Sequence, residues 1–390
     1  MNADEPVADA HERAGVSDVA LLFLKLGVTA FGGPAAHMAM MENEVVRRRR
    51  WISPERFLDM MSAASLIPGP SSSELAIFVG YEQAGVLGLL AAGGCFILPA
   101  ALITTAMAWA YVRFGSLPHV GGVLYGIKPV VIAIVLQAIW GLAPKAIKRS
   151  RWLAFLGGLA TLAAVVDVDA IGVLVGAGIL SAAHDRVSFR EREDSSHRGS
   201  ALGPVAAAGA LASTSSVGLL ALFLTFLKVG AVVFGSGYVL LAFLRADLVD
   251  RLHWMTESQL IDAVAVGQVT PGPVFTTATF IGYLFAGFPG ALVATVAIFL
   301  PGFVFVAAIR PIVARVRRSR VAGAFLDGVN VGSLALMAVV TVRLGGSALI
   351  DPVTVTLALA SAVLLVRFNL NSTWLIAAGA LVGLAAGDVR

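Results

Sequence analysis

The apolar positions of this chain come in long unbroken runs separated by short polar stretches. They show neither the strict alternation of a half-buried strand nor the narrow stripe of a surface helix. Runs of roughly 15 to 30 residues predict helices that are apolar all round, and they exclude an outer-membrane barrel, whose strands alternate. In the first half they predict a long helix over 18–42, a weakly apolar segment over 57–82 and a long helix over 86–113. A span over 121–143 follows, then a pair of short runs, 152–166 and 170–183, that form a hairpin only just able to cross. The second half gives 216–243, 258–284, 287–312, 322–343, 350–366 and 373–387 in the same order.

The two halves are copies. FLKLGVTAFGG, from Phe23 to Gly33, returns as FLKVGAVVFGS, from Phe226 to Ser236, at an offset of 203 residues. Trp51 and Trp254, Asp59 and Asp262, and Pro68-Gly69-Pro70 and Pro271-Gly272-Pro273 keep that offset. One residue is then lost, and Gly80, Pro99, Arg113 and Gly126 match Gly282, Pro301, Arg315 and Gly328 at 202. The expected organisation is a polar N-terminal tail (1–17), a first membrane repeat (18–183), a polar linker (184–215) and a second repeat (216–390).

Charge sharpens the picture. Only 13% of the 390 residues are charged and mean hydropathy is +0.87, a composition that would aggregate outside a bilayer. The fold class is therefore an all-α, polytopic integral membrane protein, with room for about ten to thirteen membrane segments. The basic excess sits in short clusters beside apolar runs, Arg47 to Arg50, Lys145 to Arg151 and Arg315 to Arg320, so it points to membrane orientation and not to nucleic acid. These clusters fall at non-equivalent places in the two copies. If basic loops face the cytoplasm, the repeats have inverted topology; a parallel duplication is the alternative. The acidic first residues predict no cleaved signal peptide. Cys95 is the only cysteine, which excludes disulfides and multi-thiolate centres within one chain.

Chemistry inside a bilayer is expected where the backbone is irregular. Each Pro-Gly-Pro should end one half-helix and open another. Ser71, Ser72, Ser73 and Glu74 after Pro68, Gly69 and Pro70 fit a capping box, and Pro271, Gly272 and Pro273 precede Thr276 and Thr277. Two half-helix N-termini rich in free N–H groups and hydroxyls suit an anion, against the plainer reading of two proline kinks. Lys25 and Lys228 are equivalent, and either face one dianion from both sides or snorkel to the interface. Phe31, Gly32, Gly33, Phe234 and Gly235 mark where backbone approaches a ligand or a facing helix. Glu74, without an acidic counterpart, reads either as a proton carrier or as the cap residue. Lys128 matches Asn330 and reads as lining a pathway or ending a helix, Asp167 and Asp169 read as a turn, and Glu42 and Glu44 read as solvated or headgroup-facing. His37 is isolated, so no metal is expected. No P-loop, HExxH, GxSxG or strand-bound GxGxxG occurs, so no enzyme and no cofactor are expected.

The FGGP at Phe31 to Pro34, the W-I-S at Trp51 and the two Pro-Gly-Pro elements together resemble the chromate ion transporter family in its long, two-domain form. The resemblance runs from about Leu21 to the C-terminus, although Phe234-Gly235-Ser236-Gly237 replaces FGGP in the second copy. It implies efflux of chromate across the bacterial inner membrane, driven by the electrochemical gradient through proton exchange, with sulfate as competitor or related substrate. Other expected partners are the lipid bilayer and a second copy in a homodimer.

Overall fold

The computed structural model describes residues 14–31, 33–115, 117–148, 150–190, 218–234, 237, 239–309, 319–368, 370 and 372–387. Gly32, Gly235, Arg315, most of the N-terminal tail and most of the linker lie outside the described residues. Copy one contains α1 (Val16–Thr29), α2 (Gly33–Glu42), a π-helical turn (Asn43–Arg48), α3 (Pro54–Ala64), α4 (Ser71–Phe114), α5 (Pro118–Ile147), α6 (Arg151–Val165) and α7 (Ala170–Arg190). Copy two contains α8 (Leu219–Val232), α9 (Leu240–Leu244), a second π-helical turn (Arg245–Arg251), α10 (Glu257–Val269) and a 3₁₀ turn (Val274–Thr276). It continues with α11 (Thr277–Ile309), α12 (Arg320–Ala348), α13 (Pro352–Phe368) and α14 (Ser372–Gly387). Five of these, α4, α5, α7, α11 and α12, are long and apolar enough to cross a membrane, and α6, α8, α13 and α14 are shorter apolar helices.

Two predicted elements are divided. The helices expected over 18–42 and 216–243 each break at the FGG or FGS position, leaving Ala30 and Phe31, and Val233 and Phe234, outside any helix. In copy one the break is enforced by Gly33, whose φ is 81°, followed by Pro34. Conversely, α4 is not one rod. Its 44 residues would extend ~66 Å, twice a bilayer core. The chain reverses at Ala84 and Gly85, where Gly85 has φ 60°, and Gly80 meets Gly88 so closely that a Cβ on either would overlap the other's carbonyl. Copy two reverses identically at Ala286 and Gly287, φ 59°, with Gly282 against Gly290. The reversal falls at the boundary expected between 57–82 and 86–113.

The copies are interwoven. The closing hairpin α6–α7 of copy one packs on α12 of copy two, and α13–α14 of copy two packs on α5 of copy one. Gly126 of α5 lies against the Gly379 carbonyl of α14, and its equivalent Gly328 of α12 lies against the Ala177 carbonyl of α7. Such reciprocity is what a two-fold relation between the copies requires. Between the exchanged hairpins, α4 and α11 pack directly on one another, with α1 on α4 and α8 on α11.

Candidate functional site

The broken first helices and the Pro-Gly-Pro turns complete each other across the copies. A helix that stops inside a bilayer leaves carbonyls without partners, and no water is there to take them. The amide of Gly69 donates to the Val233 carbonyl at 2.7 Å, and the amide of Gly272 donates to the Ala30 carbonyl at 2.9 Å. Gly69 and Gly272 have φ of 128° and 92°, values that side chains rarely adopt. A Cβ on Gly69 would overlap the Glu74 carboxylate, and one on Gly272 would sit 2.9 Å from the Ala100 Cβ. His37 joins this junction: its Nε2 donates to the same Ala30 carbonyl at 3.1 Å, leaving Nδ1, 3.3 Å from the Ser72 Oγ, to accept.

The residues expected to form the site are gathered here but differ in what they offer. Pro70 caps α4, so Ser71 is already helical and Glu74 stands one residue too far along for the expected capping box. The Glu74 side chain instead turns to the Pro-Gly-Pro turn. It is 0% exposed, neither carboxylate oxygen has a hydrogen-bond partner among the described residues, and a Cβ on Gly302 of α11 would lie 3.7 Å from Oε1. Ser71, Ser72 and Ser73 are buried, and the Ser73 hydroxyl has no partner among the described residues. In copy two, Thr276 and Thr277 are fully buried and donate to the carbonyls of Pro273 and Val274 at 2.9 and 2.8 Å. Phe31 faces outward, 38% exposed, whereas Phe234 packs against the core.

Lys25 and Lys228 are not free cations. Lys25 Nζ lies 2.9 Å from Glu44 Oε1, and Lys228 Nζ lies 2.7 Å from Asp247 Oδ1. Glu44 and Asp247 are themselves equivalent at the offset of 203 and are only 7% and 5% exposed, so the expectation of a solvated Glu44 is corrected. Each carboxylate also takes an arginine one turn later, Arg48 at 2.7 Å and Arg251 at 3.1 Å. The Lys25 hydrogen bond holds the Glu44 carboxyl below its ordinary range, although burial opposes it. A lysine and an arginine on each carboxylate, joined at Glu44 by Arg49 at 3.7 Å, tie the end of the broken helix to its beginning in both copies. This triad was legible only through the repeat: Glu44 and Asp247 differ in type, and their shared position stands out only once the register is laid down.

A second cluster also crosses the copies. Lys128 of α5 lies 3.2 Å from Asp262 of α10 and donates to Ser258 at 2.7 Å, while the Tyr111 hydroxyl donates to Asp262 at 3.0 Å. The other polar expectations resolve simply. Asp167 adopts φ 61° and Asp169 accepts from the amides that open α7, so the two form a turn. Glu82 pairs with Arg56 through both oxygens. Among the described residues no group of three or more His, Cys, Asp or Glu is placed to hold a metal ion.

Comparison with known proteins agrees with the duplicated architecture. The family profile described as chromate transporter matches twice, over residues 17–182 and 220–384. The chain belongs to the chromate transporter family. It is 34% identical over 370 residues to the chromate transport protein of Cupriavidus metallidurans, covering 94% of this chain and 92% of that one. It is 33% identical to the chromate transport protein of Pseudomonas aeruginosa, covering 83% and 79% of the two chains. An uncharacterized transporter of Bacillus subtilis, YwrA, is 29% identical over 133 residues, which span 34% of this chain and 75% of that one. No solved structure matches the chain. The protein is thus a multi-pass membrane transporter and not an enzyme.

Proposed function

We propose that the protein exports chromate from the bacterial cytoplasm across the inner membrane as a secondary transporter, driven by the electrochemical or proton gradient, and so confers chromate resistance. The observation that carries this reading is the reciprocal pair of bonds from Gly69 to Val233 and from Gly272 to Ala30, in a chain whose relatives are named chromate transport proteins. Two broken helices that plug each other at a repeat interface form an element that can part and re-form, and broken helices at such interfaces are where transporters bind ions. The helix starts at Ser71 and Thr277, with the buried hydroxyls of Ser71 to Ser73, Thr276 and Thr277, supply donors for a tetrahedral dianion once the bonds to backbone exchange. Inverted topology of the copies, supported by the non-equivalent basic clusters, would place the two openings on opposite sides. Lys25 and Lys228 act through Glu44 and Asp247, fixing the break that the anion must pass. Glu74 is the proton carrier: its buried carboxyl, without a hydrogen-bond partner among the described residues, stands at the junction the anion would cross.

Inside-out membrane vesicles test this. Chromate should accumulate when a proton gradient is imposed, and excess sulfate should reduce it. Accumulation of sulfate with no transport of chromate would make the protein a sulfate permease, and chemical loss of Cr(VI) in place of movement would overturn transport altogether.

A further inference from the structure

Beside the Pro-Gly-Pro junction the structure holds two cavities at equivalent places in the two copies, and only the first is large at the junction itself. On the copy-two side the equivalents of Gln137, Ala138 and Gly141 instead line a separate cleft of about 710 Å³ with Arg245 and Asp247. The first, about 570 Å³, reaches from Ser71 and Ser65 on the broken segment to Lys145 near the end of α5, with Asn330 and Ser333 of α12 on its far wall. Pro34, Met38, Ser65 and Ser71 also line it, and their partners at the offset of 203 are Gly237, Leu241, Gln268 and Val274. Those four residues line the second cavity, which holds about 10 Å³. The correspondence extends to the opposing helix, where Met337 borders the first cavity and its equivalent, Val135, borders the second.

The open cavity is built for an anion. Lys145 is exposed and has no hydrogen-bond or ion-pair partner among the described residues, unlike its neighbour Lys148, which is neutralised by Asp327. Ser333 is 2% exposed, and its hydroxyl has no partner among the described residues although it borders the cavity. Asn330 adds an amide, and among the described residues no Asp or Glu contributes to the wall. The floor is Ser71, the first residue of α4, where backbone amides lack helical acceptors. At the copy-two counterparts, Val339 replaces Gln137 and Ser347 replaces Lys145, while Lys128 and Arg343, the counterparts of Asn330 and Gly141, are paired with Asp262 and Asp167, so none of these positions offers an unpaired cation like Lys145.

We infer that this cavity is a one-sided oxyanion vestibule, with Lys145 drawing the anion in and Ser333 and Asn330 handing it to the Ser71 end of α4, and that its copy-two counterpart is the closed exit. The inference rests on the transport reading above and names residues for it. Lys145 lines the cavity and opens the basic cluster 145–151 of the sequence, so by the positive-inside rule the open side is assigned to the cytoplasm, the side from which an exporter loads.

The single cysteine makes the test direct. In a Cys95→Ser background, Ser333→Cys and Gln268→Cys are each treated in vesicles of both orientations with a membrane-impermeant anionic thiosulfonate and with its cationic analogue. Millimolar sulfate is the competing oxyanion, since it does not oxidise thiols. The cysteine at 333 should react with the anionic reagent from the cytoplasmic side about tenfold or more faster than the cysteine at 268, and sulfate should slow it. Adding Lys145→Gln should slow the anionic reagent about tenfold and leave the cationic one unchanged, with Lys145→Arg restoring the rate. Equal rates at 333 and 268, no sulfate effect, or equal loss with both reagents would overturn the vestibule. Because labelling needs no turnover, failure of chromate accumulation with these rates intact would strike the transport reading alone. Retained sulfate-dependent labelling of the Lys145→Arg variant shows that the protein is folded.

Discussion

The Gly69 amide of copy one and the Val233 carbonyl of copy two share a 2.7 Å hydrogen bond, and the equivalent Gly272 and Ala30 share another at 2.9 Å. Two defects that would each be unaffordable alone inside a bilayer, a helix ended early and a turn of two prolines, satisfy one another. The bonds join different copies, so a relative movement of the copies would part the junction.

Gly69→Ala and Gly272→Ala test the junction. A side chain at φ of 128° or 92° is strained by about 1–3 kcal/mol, and at Gly69 it would also drive into Glu74. Each variant should lower the midpoint of thermal unfolding in detergent and reduce transport. A Gly69→Ala protein with unchanged midpoint and transport would show that the junction is not held as described.

The Lys25–Glu44 pair predicts a pH signature. The folded-state value of Glu44 is depressed, so its stabilisation is fully present above the unfolded carboxyl value of about 4.3 and is lost as pH falls through the folded value. Lys25→Met should therefore destabilise the protein at neutral pH, and the gap from wild type should close in acid. A gap that stays constant to the lowest pH at which both variants remain folded would refute the pairing.

Glu74→Gln removes a titrating group without removing a hydrogen bond seen among the described residues. Abundance and thermal stability should match or exceed wild type. Exchange of anions across vesicles without a pH gradient should survive, while drive by an imposed proton gradient should be lost. Full proton-driven accumulation by this variant would remove Glu74 from the coupling.

The exchanged hairpins make a prediction about the halves. Cut within the linker and expressed alone, either half lacks the hairpin that covers its long helix, α14 for α5 and α7 for α12. Neither should accumulate alone, whereas coexpressed halves should copurify. Gly126→Leu, whose side chain would strike the Gly379 backbone, should abolish that copurification. Stable, separately purified halves would contradict the interweaving.

The sequence by itself determined the helical class, the bilayer environment, the duplication and its register, because long apolar runs and a fixed offset are properties of the string. It also placed the Pro-Gly-Pro turns and the hydroxyl-rich stretches after them, since proline and glycine restrict backbone locally. Tertiary structure alone decided that Lys25 and Lys228 pair with Glu44 and Asp247, that Glu74 lies against Gly69 and Gly302 with no partner among the described residues, and that Lys128 reaches Asp262 across the copies. A lysine reads identically in sequence whether it faces an anion or a carboxylate, because the partner is chosen by the fold. The same holds for the interweaving: nothing in a repeat says whether its last hairpin covers its own copy or the other. That choice rests on the close approach of Gly126 to Gly379 and of Gly328 to Ala177, pairs about 150 to 250 residues apart, which only packing brings together.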